Sequence, residues 1–194
     1  MNALRNGFTL IWLVLAALAA GCVHGAAGEA EPGFVSLFNG HDLTGWGYPN
    51  GGPKFDGLAR TPDSRFSAAD GILTVHPRTP RLVQQLWTSR AFPTDFVLRM
   101  EFRAEVNADS GIFIRKPQLQ CRDYLVAGPY KSLKLYRAQD WNEIEITVKN
   151  GVAHCTCNGE LLEDALKLPA SGGIGLEGDR GQMEYRHIRL KVLP

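Results

Sequence analysis

The stretch Trp141-Asn142-Glu143-Ile144-Glu145-Ile146-Thr147-Val148-Lys149-Asn150-Gly151-Val152-Ala153-His154-Cys155-Thr156-Cys157-Asn158 decides the fold class. Apolar and polar residues alternate on both sides of Asn150-Gly151, the period of a strand with one buried face. Asn-Gly suits a two-residue type I′ turn because both central positions need positive φ. Such a turn pairs Lys149 with Val152, and the register follows outward one residue at a time. Val148 then meets Ala153, Ile146 meets Cys155 and Ile144 meets Cys157 on one face. Thr147 meets His154, Glu145 meets Thr156 and Glu143 meets Asn158 on the other. The first set is apolar, so Cys155 and Cys157 are expected in the core as free thiols. Residues i and i+2 of one strand lie too far apart for an unstrained disulfide.

The same pattern extends outward. Over 95–105, Phe96, Leu98, Met100 and Phe102 face one side, and Val97, Arg99, Glu101, Arg103 and Glu105 the other. The segment 65–75 breaks at Asp70-Gly71, a second hairpin signal. Short strands are expected at 34–38, 111–115, 173–177 and 184–193. The segment 46–65, rich in Gly, Pro and Asp, reads as a long loop, and 159–165 is the only helix candidate. Gly 21 and Pro 11 are scattered without a period. Many strands joined by turns in one domain predict an all-β protein, a two-sheet jelly-roll sandwich.

Composition excludes several classes. In 194 residues, 44% are hydrophobic and 21% charged, so bulk disorder is ruled out. Lys+Arg 21 against Asp+Glu 20 leaves no basic footprint for nucleic acid. Four cysteines make neither a disulfide scaffold nor a zinc finger. No cofactor or metal motif is present, so none is expected, although a divalent metal stays open. The N-terminus carries Arg5 and then an apolar run from Phe8 to Ala20, short of the ~20 residues of a spanning helix and followed by small residues, as in a secretory leader. Ala19-Ala20-Gly21-Cys22 resembles a lipobox with Cys22 as the lipidation site. Cleavage around Val23-His24-Gly25 or Gly25-Ala26-Ala27 is the other route. Either implies export, to the periplasm or as a membrane-anchored lipoprotein. Residues 1–26 read as the leader, 27–33 as a tether and 34–194 as the folded domain.

An ordered set of short motifs then becomes recognisable: Phe38-Asn39-Gly40-His41-Asp42-Leu43-Thr44-Gly45-Trp46, Asp70-Gly71-Ile72-Leu73, Asp109-Ser110-Gly111-Ile112-Phe113-Ile114-Arg115, Trp141-Asn142, Asn158-Gly159, Gly173-Ile174-Gly175-Leu176 and Tyr185-Arg186-His187-Ile188. With these, nearly the whole of the mature chain resembles the bacterial 3-keto-disaccharide hydrolase domain family. The resemblance implies a concanavalin A-like sandwich with a sugar site on one sheet, and cleavage of a glycosidic bond beside a 3-keto sugar. Two departures stand out. Many relatives carry Tyr-Glu-x-Gln-x-x-Asp where this chain has Pro117-Gln118-Leu119-Gln120-Cys121-Arg122-Asp123, so Gln118 replaces an acid. Relatives also commonly carry Gly-x-Leu-Gln with a nearby His, where this chain has Gly175-Leu176-Glu177-Gly178-Asp179.

The candidate residues follow. Gln118 and Gln120 share one side of their strand, where paired amides suit sugar hydroxyls; they could equally face water at a strand edge. Arg115 is a candidate for holding a keto or hydroxyl oxygen, or a partner of Asp109. Glu101 and Arg103 lie on a polar strand side that is solvated by default. Trp141 could stack on a sugar ring or close the end of the sandwich, and Asn142 beside it is a candidate binding residue. Arg186 falls on the side of Ile188, Leu190 and Val192 and needs a partner there, with Glu184, Glu101 or Glu177 available. Asp179 and Arg180 read as a turn. The base candidates are Asp123, Glu101 and Glu177. A small carbohydrate is the expected partner. Cleavage could use two carboxyl groups, or a single base that starts an elimination beside the keto group. A non-catalytic carbohydrate-binding module is the alternative.

Overall fold

The computed structural model describes residues 31–126, 128 and 130–194, so the leader and Cys22 lie outside the described residues. Fourteen strands are found among these residues: β1 (Val35–Ser36), β2 (Leu43–Gly47), β3 (Lys54–Phe55), β4 (Phe66–Ala69), β5 (Ile72–Val75), β6 (Gln84–Thr88), β7 (Phe96–Ala104), β8 (Asp109–Ile114), β9 (Gln118–Arg122), β10 (Asn142–Lys149), β11 (Val152–Cys157), β12 (Glu160–Lys167), β13 (Ile174–Gly178) and β14 (Met183–Val192). They form two antiparallel sheets packed as a jelly-roll sandwich, with no helix among the described residues. One sheet runs β12-β11-β10-β7-β14-β5-β4, with β1 also on β14; the other runs β3-β2-β6-β13-β8-β9.

The β10–β11 hairpin has the register that its turn dictates: Lys149 opposite Val152, Ile146 opposite Cys155 and Ile144 opposite Cys157. Asn150 and Gly151 sit at φ 50 and 73, and the Asp70-Gly71 turn at 51 and 79. Phe96, Leu98, Met100 and Phe102 of β7 are fully buried against Leu86, Ile112, Ile174 and Leu176 of the other sheet. Cys121, Cys155 and Cys157 are free thiols in this core.

Three expectations are corrected. The segment 159–165 is not helical: Asn158 and Gly159, at φ 48 and 83, turn the chain back, and β12 pairs along the open edge of β11. Hydrogen bonding to that edge overrides the helix propensity of Glu-Leu-Leu-Glu-Asp-Ala. The segment 46–65 is not one loop, since it holds the end of β2 and all of β3. Arg186 is not on the apolar side. A bulge between Arg186 and Arg189, with His187 at φ 51, shifts the alternation by one residue. Arg186 therefore shares the solvent face with Glu184 and pairs with Glu101 at 2.6 Å, while Tyr185 and Ile188 both stay buried.

Candidate functional site

The solvent face of the six-stranded sheet collects chemistry by register alone. Trp87 of β6 lies opposite Gly175 of β13, and Gly175 lies opposite Phe113 of β8. Phe113 lies opposite Gln118 of β9, and Gly111 opposite Gln120. Glu177 lies opposite Gln85. Alternation turns Leu86, Ile112, Leu119, Cys121 and Leu176 inward and leaves Gln85, Trp87, Phe113, Gln118, Gln120 and Glu177 outward.

Two glycines make this surface possible. A Cβ on Gly175 would come within 2.7 Å of the Trp87 ring, and one on Gly111 would collide with the Gln118 side chain. The Trp87 ring therefore lies over β13 and stacks on Phe113, centroids 5.2 Å apart and planes 29° off parallel. Trp87 Nε1 donates to Gln85 Oε1 at 2.9 Å. The Gln118 amide reaches across β8 and donates Nε2 to Glu177 Oε2 at 2.5 Å. Gln120 Nε2 donates to Gln118 Oε1 at 3.5 Å, and Arg122 Nη1 to Gln120 Oε1 at 3.3 Å. The donors thus point in one direction, ending on Glu177.

Glu177 differs from the other carboxyl groups of this face. Asp179 is gripped by Arg81 through both carboxylate oxygens. Asp109 accepts from Arg122 at 2.7 Å and has Arg180 at 3.7 Å. Among the described residues Glu177 has no arginine partner and only the neutral Gln118 donor. Burial pushes its carboxyl above the ordinary glutamate range, the Gln118 hydrogen bond pulls it back, the charges of Asp179 and Asp109 raise it again, and the more distant Arg81 charge lowers it slightly.

The other expected site residues do not join it. Arg115 is buried at positive φ and donates Nε, Nη1 and Nη2 to the carbonyls of Phe92, Pro169 and Thr94 at 2.9, 2.9 and 2.7 Å. Its guanidinium is thus occupied by backbone, not by a substrate oxygen or Asp109. Asn142 is fully buried, donating Nδ2 to the carbonyls of Arg137 and Asp140 and accepting from Arg137 N and Asn158 Nδ2, all at 2.8 Å. Asp123 is 2% exposed. It accepts from Asn107 N at 3.0 Å and faces Tyr136 Oη and Gln139 Nε2, each at 3.3 Å. It ties loops behind the strand end, on the inward side that alternation gives it together with Leu119 and Cys121, away from the face of Gln118 and Gln120.

Glu101, Arg103 and Trp141 do cluster, but on the outer face of the eight-stranded sheet, across the core from Glu177. The Trp141 ring lies between Arg186 at 4.0 Å and Arg103 at 4.8 Å, and Arg103 pairs with Glu184. Burial works against the Glu101 charge, but bonds from His187 and Arg186 hold its carboxyl below the ordinary range. Trp87 and Gln85 escaped the sequence reading. Their signal was the short alternation Gln85-Leu86-Trp87, too brief to stand out as a strand. Among the described residues, no group of three or more His, Cys, Asp or Glu side chains is placed to hold a metal ion.

Comparison with known proteins bears on the family and the fold. Residues 33–191 match the family model described as the 3-keto-alpha-glucoside-1,2-lyase-like domain. Two crystal structures of provisionally assigned glycosyl hydrolases from Parabacteroides distasonis superpose on the chain. One has TM-score 0.63 and 16% identity, covering 84% of this chain and 94% of that one. The other has TM-score 0.62 and 19% identity, covering 82% and 99%. A Bacillus subtilis carbohydrate-binding module, CBM66, superposes more loosely, with TM-score 0.46 and 11% identity over 77% of this chain and 96% of that one. No curated protein matches the sequence.

Proposed function

The chain belongs to the 3-keto-alpha-glucoside-1,2-lyase-like domain family, and from that premise we propose that it is an exported lyase cleaving the glycosidic bond of a 3-keto-α-glucoside by elimination, with Glu177 as the base. One observation carries the reading: of Asp109, Glu177 and Asp179 on the site face, Glu177 alone has no arginine ion pair among the described residues. A hydrolytic mechanism with two carboxyl groups needs a second free one, whereas elimination beside a ketone needs one.

The reaction balances with this single base. The C3 carbonyl acidifies the C2–H bond. Glu177 takes the C2 proton, and the electron pair moves into an enolate at C3. Collapse of the enolate forms the C1–C2 double bond and expels the C1 oxygen with its bonding pair. That oxygen takes a proton and leaves as the free alcohol, so an unsaturated 3-keto sugar and the aglycone are formed with no net oxidation. A carboxyl group raised by burial is better matched to a carbon acid than an ordinary glutamate, since a general base works best near the operating pH. Gln85, Gln118 and Gln120 supply neutral amides for the ring hydroxyls, and the Trp87–Phe113 pair offers an aromatic floor for the ring.

The test is a panel of α-glucosides offered with and without a 3-keto group. Turnover of the oxidised members alone supports the lyase. Turnover of the unoxidised members would contradict it, and saturable binding without turnover would assign a carbohydrate-binding module instead. A tagged chain expressed in bacteria should be recovered outside the cytoplasm and shortened. Retention of the unprocessed chain would count against export.

A further inference from the structure

The outward side chains of β9 form a hydrogen-bonded chain with a fixed direction. Arg122 Nη1 donates to Gln120 Oε1 at 3.3 Å, Gln120 Nε2 to Gln118 Oε1 at 3.5 Å, and Gln118 Nε2 to Glu177 Oε2 at 2.5 Å. We propose that Arg122 is a positioning residue for Glu177, acting through the two glutamines to turn the Gln118 NH2 group onto the carboxylate. The inference rests on the reading of Glu177 as the base of the elimination.

The direction follows from which groups can donate. A guanidinium only donates, so Gln120 must meet Arg122 with its carbonyl oxygen. That leaves Gln120 Nε2 for the Gln118 oxygen, and Gln118 Nε2 for Glu177. An ionised carboxylate only accepts, whereas a protonated carboxyl can also donate to an amide oxygen. The chain therefore fits the ionised form of Glu177, the form that acts as a base. Without Arg122 both amides can turn over, and Gln118 can then accept a hydrogen bond from the protonated carboxyl as readily as it donates to the carboxylate. Hydrogen bonds in line also polarise one another, and a charged donor at one end strengthens the effect.

Arg122 is itself anchored at its far end. It lies opposite Asp109 of β8, donates Nη2 to Asp109 Oδ2 at 2.7 Å, and its side chain is only 13% exposed. Gly128, at φ 81, lies so close that a Cβ there would stand 3.1 Å from Nη1. The Arg122 Nε is buried without a partner, a cost that an exposed arginine pairing with Asp109 would avoid. Among the described residues no hydrogen bond or ion pair joins Arg122 directly to Glu177, and β8 separates their strands. Its influence therefore runs through the amides. The other charges around Glu177 are those of Asp179, just past β13, and Asp109, which raise its carboxyl, and of Arg81, ahead of β6, which lowers it. Tyr185 of β14 lies beneath the sheet and stays neutral, because burial pushes its phenol up.

The test follows the Glu177 carboxyl directly, by carbon NMR of protein labelled at the glutamate δ-carbon, beside the pH profile of kcat/KM on a 3-keto-α-glucoside. The Glu177 signal is the one lost in Glu177→Gln. Arg122→Met keeps the stem and removes the donors. Gln120→Met cuts the chain one link later without changing charge, and carries the test if the first variant fails to fold. Each should raise the Glu177 midpoint by about half a pH unit or more, with kcat/KM lowered about threefold per half unit on the acid limb alone. In a Gln118→Leu background Arg122→Met should add no further shift, because the chain is already cut. An unmoved midpoint in Gln120→Met, or an Arg122→Met shift that persists in full in the Gln118→Leu background, would overturn the relay. A midpoint that moves as expected in a protein that turns over no 3-keto-α-glucoside would uphold the relay and overturn the elimination reading.

Discussion

Gln118 Nε2 donates to Glu177 Oε2 at 2.5 Å across the glycine of the intervening strand. The two positions at which the resemblance implies a different residue thus meet in one hydrogen bond. The resemblance to the family implies an acid at position 118 and an amide at 177; in this chain Gln118 and Glu177 hold the two groups the other way round. Exchange of acid and amide across such a bond keeps one carboxyl group and one donor over the same patch of sheet.

This predicts the outcome of three variants. Glu177→Gln keeps the shape and should lower turnover by roughly 10²–10⁴-fold with sugar binding largely kept. Gln118→Glu alone places two carboxyl groups in contact, so they should share a proton. The double variant Gln118→Glu/Glu177→Gln restores one acid and one amide and should exceed Glu177→Gln in rate. A double variant no faster than Glu177→Gln would show that the acid works only from β13.

The pH profile follows from the environment of Glu177. Its carboxyl is raised by burial, and must be ionised to act as a base. The acid limb of kcat/KM should therefore lie above the ordinary glutamate value of about 4.3. Gln118→Leu removes the bond that lowers the carboxyl and should move this limb to higher pH. A limb that stays fixed would place the titrating group elsewhere.

The same shift affects stability. A carboxyl whose folded value is raised binds its proton more tightly when folded, so its contribution is present at low pH and fades as pH rises through the folded value. At neutral pH the protein holds an unpaired, partly buried charge. Glu177→Gln should accordingly melt higher than the wild type at pH 7, with the difference shrinking toward pH 4. An equal difference at both pH values would contradict the raised carboxyl.

Arg115 should prove structural. Arg115→Met leaves the carbonyls of Phe92, Thr94 and Pro169 without their donor, and unsatisfied buried groups cost about 1–3 kcal/mol each. Denaturant titration should show a loss of several such units of stability, while the protein that remains folded keeps its kcat. A selective loss of kcat with unchanged stability would return Arg115 to the site.

The core thiols should be inert. Burial pushes Cys155 and Cys157 up to about 12 and Cys121 well above the ordinary thiol value, so thiolate is scarce at neutral pH. Thiol reagents should label all three only after denaturation. Labelling of the native protein at the rate of a small thiol would contradict the packing.

Much of the fold was legible in local pattern. The turns at Asp70-Gly71 and Asn150-Gly151 set the registers of their hairpins, and the alternation of β7 and β10 identified the core face. The edge strand β12 was not legible, because its residues favour a helix and only pairing with β11 makes them a strand. The facing of the candidate residues was legible where alternation persists, as for Gln118, Gln120 and Glu177. Alternation could not say which sheet a face belongs to, and Glu101, Arg103 and Trp141 lie across the core from Glu177. It also fails past a strand end or bulge, which is why Arg115 and Arg186 point elsewhere than expected, whereas Asp123 follows it to the inward side of Leu119 and Cys121.

The most direct test of the Glu177 elimination is the fate of the C2 hydrogen. A 3-keto-α-glucoside carrying deuterium at C2 should release it to solvent during turnover, with a primary isotope effect on kcat/KM that accompanies loss of the glycosidic bond. Rapid cleavage that retains the C2 deuterium would contradict elimination and leave Glu177 without its proposed proton.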